Sequence, residues 1–279
     1  MVLKIKRFLA FPLMALVIVS LVLTAGCGNT SNNTSPGTGE LSGKITEAGS
    51  TSVLPLAEQF ALAFMKKHPK VTITYTGGGS GAGAKQAADG TVDIGATSRG
   101  IKMKEADLIS YPVARDGVAI IVNSANPVND LSMEQAAKIF EGEISDWSAV
   151  GGNAGRITVY NREEGSGTRD TFESFVTEEV IASAITKKSN GEIQTAMQSD
   201  SSGIGYVSLG YIQGVKPLSI DGTECSIATC QSGKYPIARR LYFNTKSAPD
   251  EPVKAFIDFC RSTEGQEIAA ALGYIPLVI

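Results

Sequence analysis

The sequence predicts an α/β fold arranged as two lobes with two crossings between them. Three observations point there. Hydrophobic periodicity switches repeatedly between strand and helix, about 240 residues of globular composition follow a polar tether, and a late strand returns the chain to the lobe where it began. In order, 45–48 reads as a short strand and 55–67 as a helix with Leu56, Phe60, Ala63 and Phe64 on one face. His68-Pro69 ends that helix, because the residue before proline is pushed out of helical geometry. Val71-Thr72-Ile73-Thr74-Tyr75 alternates as a half-buried strand does; 81–88 is a short helix stopped by Gly90, and 92–96 is the next strand. The apolar run 117–122 predicts a strand buried on both faces. A Pro/Asn-rich connection over 123–130 opens the second unit, and Ser132-Met133-Glu134-Gln135 is a capping box for a helix reaching Phe140. A strand at 157–161, helices at 169–176 and near 192–199, and strands at 204–208 and 215–220 follow. After an irregular excursion over 225–235, a strand at 239–244 returns, with a helix at 251–260 and another opened by Thr263-Glu264-Gly265-Gln266, a second capping-box pattern. Strands alternating with helices predict mostly parallel sheets. The crossings fall near 122–124 and 233–238, giving lobe 1 as 41–122 plus 238–279 and lobe 2 as 123–237, with the ligand cleft between them.

The chain begins with a targeting segment. Lys4, Lys6 and Arg7 precede the apolar stretch 8–23, and Thr24-Ala25-Gly26-Cys27 supplies small residues ending in cysteine. Residues 1–26 therefore read as a bacterial secretion signal and Cys27 as a lipidation site, although Thr24 stands where a lipobox has an aliphatic residue. The other reading is an uncleaved anchor, for which 8–23 is near the lower length limit. Residues 27–40, rich in Asn, Ser, Thr and Gly, form a flexible tether. The expected location is outside the cytoplasm, lipid-anchored to a bacterial membrane, at the cell membrane or in the periplasm. Removing the leader takes three of the 25 basic side chains, leaving 22 against 28 acidic ones and a net charge of −6. That excess argues against nucleic acid as a partner but not against a small anion, because local donors outweigh distant screened charges. Cys225 and Cys230 are candidates for a small-loop disulfide in an oxidising compartment, with two free thiols as the alternative, and Cys260 lies on an apolar helix face. No paired CxxC and a single histidine, His68, argue against a metal site, and nothing calls for a cofactor.

Three glycine/hydroxyl turns carry the chemistry. Arg162-Glu163-Glu164-Gly165-Ser166-Gly167-Thr168 follows a predicted strand and opens a predicted helix. It aims backbone N–H groups, two hydroxyls and a guanidinium at one point, the parts that hold a small oxyanion without a metal. Glu164 is close enough in sequence to orient Arg162. Gly49-Ser50-Thr51-Ser52 also joins a strand to a helix, and its hydroxyls either cap that helix or meet a ligand. Gly77-Gly78-Gly79-Ser80-Gly81 lets the backbone approach a ligand closely. It is not a nucleotide P-loop, since Ala84 separates Gly83 from Lys85 and Gln86 replaces the magnesium-holding hydroxyl. Gly95-Ala96-Thr97-Ser98-Arg99 adds two hydroxyls and a second guanidinium at a strand end.

These segments, with Glu47 to Pro55, Tyr75 to Gly81, Val92 to Arg99 and Arg162 to Thr168 in that order, resemble the signature segments of the phosphate-binding proteins of phosphate ABC transporters, over about Lys44 to the C-terminus. The resemblance implies a type II periplasmic-binding-protein fold and phosphate contacts from Thr51, Ser52, Ser80, Arg162, Ser166, Gly167 and Thr168. Ser98 and Arg99 stand where the best-known branch has an aspartate that accepts the proton of hydrogen phosphate. A donor in place of an acceptor strengthens generic oxyanion binding and weakens rejection of sulfate.

The resemblance implies capture of inorganic phosphate between the lobes and delivery to ABC permease subunits by a monomeric receptor. The alternatives are a receptor for another tetrahedral oxyanion, such as sulfate or molybdate, and a phosphate sensor without transport. An enzyme is not expected. A nucleophilic serine needs a base, and His68 sits at a helix end away from any cleft; the nucleophile-elbow pattern G-x-S-x-G is also absent.

Overall fold

The computed structural model describes residues 40–277 of the 279-residue chain. The expected signal segment, the Cys27 lipidation site and the tether up to residue 39 lie outside the described residues. Strands β1 (Ser42–Gly49) and β2 (Lys70–Gly77) flank α1 (Leu54–Lys67). Helix α2 (Ser80–Asp89) and β3 (Ile94–Thr97) follow, and β4 (Ile109–Val122) runs for 14 residues. Next come β5 (Asp130–Leu131), α3 (Met133–Glu141), β6 (Thr158–Arg162), α4 (Gly167–Phe175), β7 (Ile185–Lys187), α5 (Asn190–Ser199) and β8 (Gly203–Ser208). The short β9 (Lys216–Pro217) and β10 (Ser219–Ile220) lead through α6 (Ile227–Gln231) to β11 (Ala238–Thr245). Helices α7 (Glu251–Arg261) and α8 (Thr263–Ala271) complete the described chain.

The main sheet has the order β2-β1-β3-β11-β4-β8-β6-β7, with β9 added to β4. It is mixed rather than mostly parallel. β1 pairs in parallel with β2 and β3, and β6 with β7 and β8, but the centre is antiparallel through β3/β11, β11/β4 and β4/β8. Two hydrophobic cores flank that centre. One gathers Ile45, Leu56, Phe60, Phe64, Val113, Leu241, Phe243 and Phe256; the other gathers Val118 to Val122, Phe140, Phe172, Ile193, Tyr206 and Ile237.

Strand β4 belongs to both. Its residues up to Gly117 pair with β11, and Val118 to Val122 pair with β8. The partner of β4 thus changes from β11 to β8 at Gly117/Val118. The run 117–122 is apolar because it is buried in the second core, and apolarity alone does not tell which core a strand faces. The return passes Ile237, whose carbonyl accepts from Val118 N at 2.8 Å.

Local chemistry accounts for most boundaries. Buried Val253, Phe256, Ile257 and Cys260 recur at helical spacing along α7. The α3 capping box forms in both directions, with Gln135 N donating to Ser132 Oγ at 3.0 Å and Ser132 N to Gln135 Oε1 at 2.9 Å. The cap of α8 falls one residue earlier than expected: Ser262 Oγ accepts from Gly265 N at 3.3 Å. The stretch 215–220 splits into β9 and β10, which serve different partners, and 225–235 holds α6 with its own capping box at Ser226. Cys225 and Cys230 are buried in the structure as free thiols with sulfurs 4.0 Å apart across the α6 turn, the alternative that the spacing left open beside a disulfide. No helix among the described residues is long and apolar enough to cross a membrane.

Candidate oxyanion-binding site

The β1–α1 turn begins at Gly49, where φ is 136° and an added Cβ would lie 2.2 Å from the Ala96 carbonyl oxygen, so only glycine fits. The following hydroxyls are not helix caps: Val53 occupies the N-cap of α1, and no side-chain cap bond is made there. Three tyrosines pin the successive carbonyls of this turn. Tyr75 donates to Ser50 O, Tyr211 to Thr51 O and Tyr274 to Ser52 O, each at 2.8 Å. Burial pushes all three phenols up, Tyr211 to about 12, so they stay protonated donors. With its carbonyls held from behind, the turn presents Thr51 and Ser52 to the opposite half of the molecule.

Helix α2 opens after Gly79, again without a side-chain cap. Ser80 Oγ accepts from Ser98 N at 3.0 Å and lies 3.2 Å from Ser98 Oγ, and both residues are fully buried. Opposite them, β6 ends at Arg162 and α4 begins at Gly167. Ser166 Oγ caps α4 by accepting from Arg169 N at 3.2 Å. Gly167 lies so close to the other side that an added Cβ would stand 2.3 Å from Ser80 Oγ and 2.6 Å from Ser98 Oγ. Thr168 Oγ1 is 2.8 Å from Ser52 Oγ, and Gly81 N donates to Gly165 O at 2.9 Å. Thr51, Ser52, Ser80, Ser98, Gly167 and Thr168 are thus linked across one interface between the two cores, beside the N-termini of α2 and α4. Such helix starts supply unpaired N–H groups and partial positive charge.

Arg162 is 1 % exposed. Its Nε and Nη2 each lie 2.8 Å from a Glu163 oxygen, a bidentate pair, while Nη2 also reaches Thr51 Oγ1 at 3.3 Å. Its Nη1 is buried without a partner among the described residues. The orienting carboxylate is therefore Glu163; Glu164, assigned that task from sequence, is exposed.

Arg99 departs from the sequence expectation. Its guanidinium makes a bidentate pair with Glu105 at 2.7 and 2.9 Å, donates to Gly100 O at 2.8 Å, and sets Nε 2.7 Å from Asp170 Oδ2. Every nitrogen of the fork has a protein neighbour, so Arg99 bridges the rim and does not stand among the hydroxyls. The spacing that put it beside Ser98 takes no account of side-chain direction.

Three residues of the cluster went unread in the sequence. Asn190 Nδ2 donates to Thr51 Oγ1 at 3.0 Å and Ser52 Oγ at 2.9 Å. Arg239 Nη2 donates to Ser52 Oγ at 2.8 Å and to Asp116 Oδ2 at 2.7 Å. Burial pushes the fully buried Asp116 carboxyl up, and Arg239 opposes that push. A signal for Arg239 was available: strand alternation sets it on the same face as the buried Leu241 and Phe243. No comparable signal marks Asn190. Among the described residues no group of three or more His, Cys, Asp or Glu side chains is arranged to hold a metal ion.

Comparison with known proteins converges on one family. The PBP superfamily domain matches residues 34–264. The chain is 32 % identical over 279 residues to the phosphate-binding protein PstS of Bacillus subtilis (strain 168), covering 95 % of this chain and 93 % of the relative. Among solved structures, it resembles a substrate-binding protein with bound phosphate from Clostridium perfringens. The TM-score is 0.82 and the identity 36 %, over 85 % of this chain and 100 % of that one. It also resembles an ABC-type phosphate transport receptor from Vibrio cholerae, with a TM-score of 0.70 and 33 % identity over 84 % and 100 % of the two chains.

Proposed function

The chain belongs to the PBP superfamily and, within it, to the phosphate-binding proteins of phosphate ABC transporters, and on that premise we propose that it captures inorganic phosphate outside the cytoplasm and delivers it to an ABC importer. One observation carries the reading. Gly167, at the start of α4, approaches Ser80 and Ser98 within the reach of a single methyl group, while Thr168 touches Ser52. Hydroxyls and helix N-termini from both halves therefore meet across one interface, where Arg162 reaches Thr51.

The role is capture without turnover. The site offers donors: amides at two helix starts, alcohols on Thr51, Ser52, Ser80, Ser98, Ser166 and Thr168, and the unpartnered Arg162 Nη1. A tetrahedral anion bridging both halves stabilises the arrangement in which they meet, because it binds that arrangement better than a parted one. Burial there strengthens each charged hydrogen bond by excluding water. We take the halves to be lobes that part and close about β4 and β11, the two strands that join the cores.

We extend the reading to a lipid anchor at Cys27 and a monomeric receptor whose closed form docks on permease subunits. The basic start, apolar stretch and small residues before Cys27 support the anchor.

Calorimetric titration of ligand-stripped protein with phosphate, sulfate and molybdate tests the function. Phosphate is expected to bind more tightly than the others, by a margin over sulfate that the donor at Ser98–Arg99 narrows. Arg162→Ala is expected to weaken phosphate by at least about tenfold, since a charged hydrogen bond contributes roughly 1.5–3 kcal/mol. Preference for sulfate or molybdate would transfer the site to another oxyanion, and unchanged binding in Arg162→Ala would remove the site assignment.

A further inference from the structure

We propose that Arg239, held by Asp116, is a positioning residue that makes Ser52 an obligate hydrogen-bond donor to the bound oxyanion. This rests on the reading of the site as a phosphate receptor. It concerns a residue that lies 71 positions beyond Thr168, outside every segment that marks the family in this sequence.

A serine hydroxyl has one proton and two lone pairs, so its role is set by its neighbours. Ser52 Oγ receives Arg239 Nη2 at 2.8 Å and Asn190 Nδ2 at 2.9 Å. A guanidinium can only donate. The Asn190 amide is fixed in orientation because its Oδ1 accepts from Ser208 N at 3.0 Å, which turns the NH2 group toward the hydroxyls. Both lone pairs of Ser52 are then occupied, and its proton must point away, toward Thr168 Oγ1 at 2.8 Å or an anion beside it. Thr51 is treated in the same way from the other side. The second amide hydrogen of Asn190 reaches its Oγ1 at 3.0 Å, and Arg162 Nη2 reaches it at 3.3 Å. One amide and two guanidinia therefore polarise two adjacent hydroxyls in the direction an anion requires.

The Arg239 charge is held where it can act. Asp116 Oδ2 takes Arg239 Nε at 3.0 Å and Nη2 at 2.7 Å, and Oδ1 takes Ser208 Oγ at 3.0 Å and Leu209 N at 3.2 Å. The two residues are register partners on β11 and β4, the strands that join the cores. An apolar pair would hold these strands together as well as a buried ion pair does, so strand pairing alone does not account for the charges. The contact to Ser52 does.

The test is a double-mutant cycle read by phosphate titration, with thermal melts confirming that each variant is folded. Wild type, Ser52→Ala, the paired change Arg239→Gln with Asp116→Asn, and all three together are compared. The paired change leaves no unpartnered buried charge. It is expected to weaken phosphate about tenfold, and Ser52→Ala to do much the same. Combining them is expected to add no more than about twofold, because the pair acts through a hydroxyl that is already gone. Arg239→Lys serves as a second variant: it keeps the charge, but its shorter side chain ends one bond short of the Nη2 position that touches both Asp116 and Ser52, so a near-native melting temperature with weakened binding is expected. Wild-type affinity in the folded paired or Lys variant, or fully multiplicative losses in the cycle, would overturn the assignment. A wild type that takes up no phosphate would instead overturn the functional reading, and this inference with it.

Discussion

Glu47 sits two residues before the turn that carries Thr51 and is 2 % exposed, with neither carboxylate oxygen hydrogen-bonded among the described residues. Burial pushes its carboxyl well above the ordinary value. A carboxyl whose folded value is raised favours the folded state most below its unfolded value of about 4.3, and that advantage is lost as pH rises toward the folded value. At neutral pH the unsatisfied group is therefore a burden, and Glu47→Gln, of the same shape without a charge to desolvate, is expected to raise the melting temperature by about 2–4 °C at pH 7 or above. The gain should shrink as the pH is lowered toward 4; melting curves at several pH values check both signs, and a gain that does not depend on pH would exclude desolvation of the carboxylate as its cause. At the same scale, the hydroxyls at strand–helix turns could be read from the chain because residue type and turn chemistry are local. Asn190, Asp116 and Arg239 belong to other elements and reach the cluster only through tertiary folding, and the direction of the Arg99 side chain was not readable for the same reason.

The glycines of the Gly77–Gly81 turn look, in sequence, like freedom for a ligand to approach, but Gly83, inside α2, serves packing between elements. A Cβ there would stand 2.6 Å from Ala48 O and from Gly49 Cα and 2.9 Å from Ala96 O, all backbone atoms that cannot swing aside. Helix α2 therefore lies flush on β1 and β3, and that contact fixes where Ser80 stands. Gly83→Ala is expected to destabilise the protein by about 1–3 kcal/mol and to weaken phosphate by shifting the start of α2. Gly100→Ala, where an added Cβ meets nothing within 4 Å, should change neither. Chemical denaturation and titration of the two variants side by side decide it, and equal behaviour would mean that α2 is not held by this contact. Helices α1, α3 and α7 were legible because apolar spacing, proline and capping boxes act within a few residues. The first half of β4 was not: Pro112, Arg115 and Asp116 interrupt its apolar run, and its strand character comes from pairing with β11, itself shifted in register between Leu241 and Tyr242.

Across the whole molecule, the two cores meet at the rim through charge as well as at the site. Arg99, beside the first core and clamped by Glu105, has Nε 2.7 Å from Asp170 in the first turn of α4, and Lys102 Nζ is 3.0 Å from the same carboxylate. On the proposed parting of the halves these contacts break, so they would bias the protein toward the joined arrangement before any anion arrives. The bias should be small, because Asp170 is partly exposed and pairs of this kind contribute roughly 0.2–1 kcal/mol. That size suits a receptor: a ligand shifts an equilibrium only by its differential affinity, and a strongly pre-closed form would hinder entry and release. Asp170→Asn keeps the shape and removes the charge that both cations share. Without phosphate, it is expected to increase the radius of gyration seen by small-angle X-ray scattering. With phosphate at saturation, the variant and wild type should coincide, because bound anion supplies more closing energy than the rim does. Affinity should fall by about two- to fivefold, within the range that such a pair allows, and the difference should narrow at high salt, where rim charges are screened. If the unliganded variant scatters as wild type does, the rim ion pairs have no part in closure, and the joining strands and the anion alone would set the equilibrium.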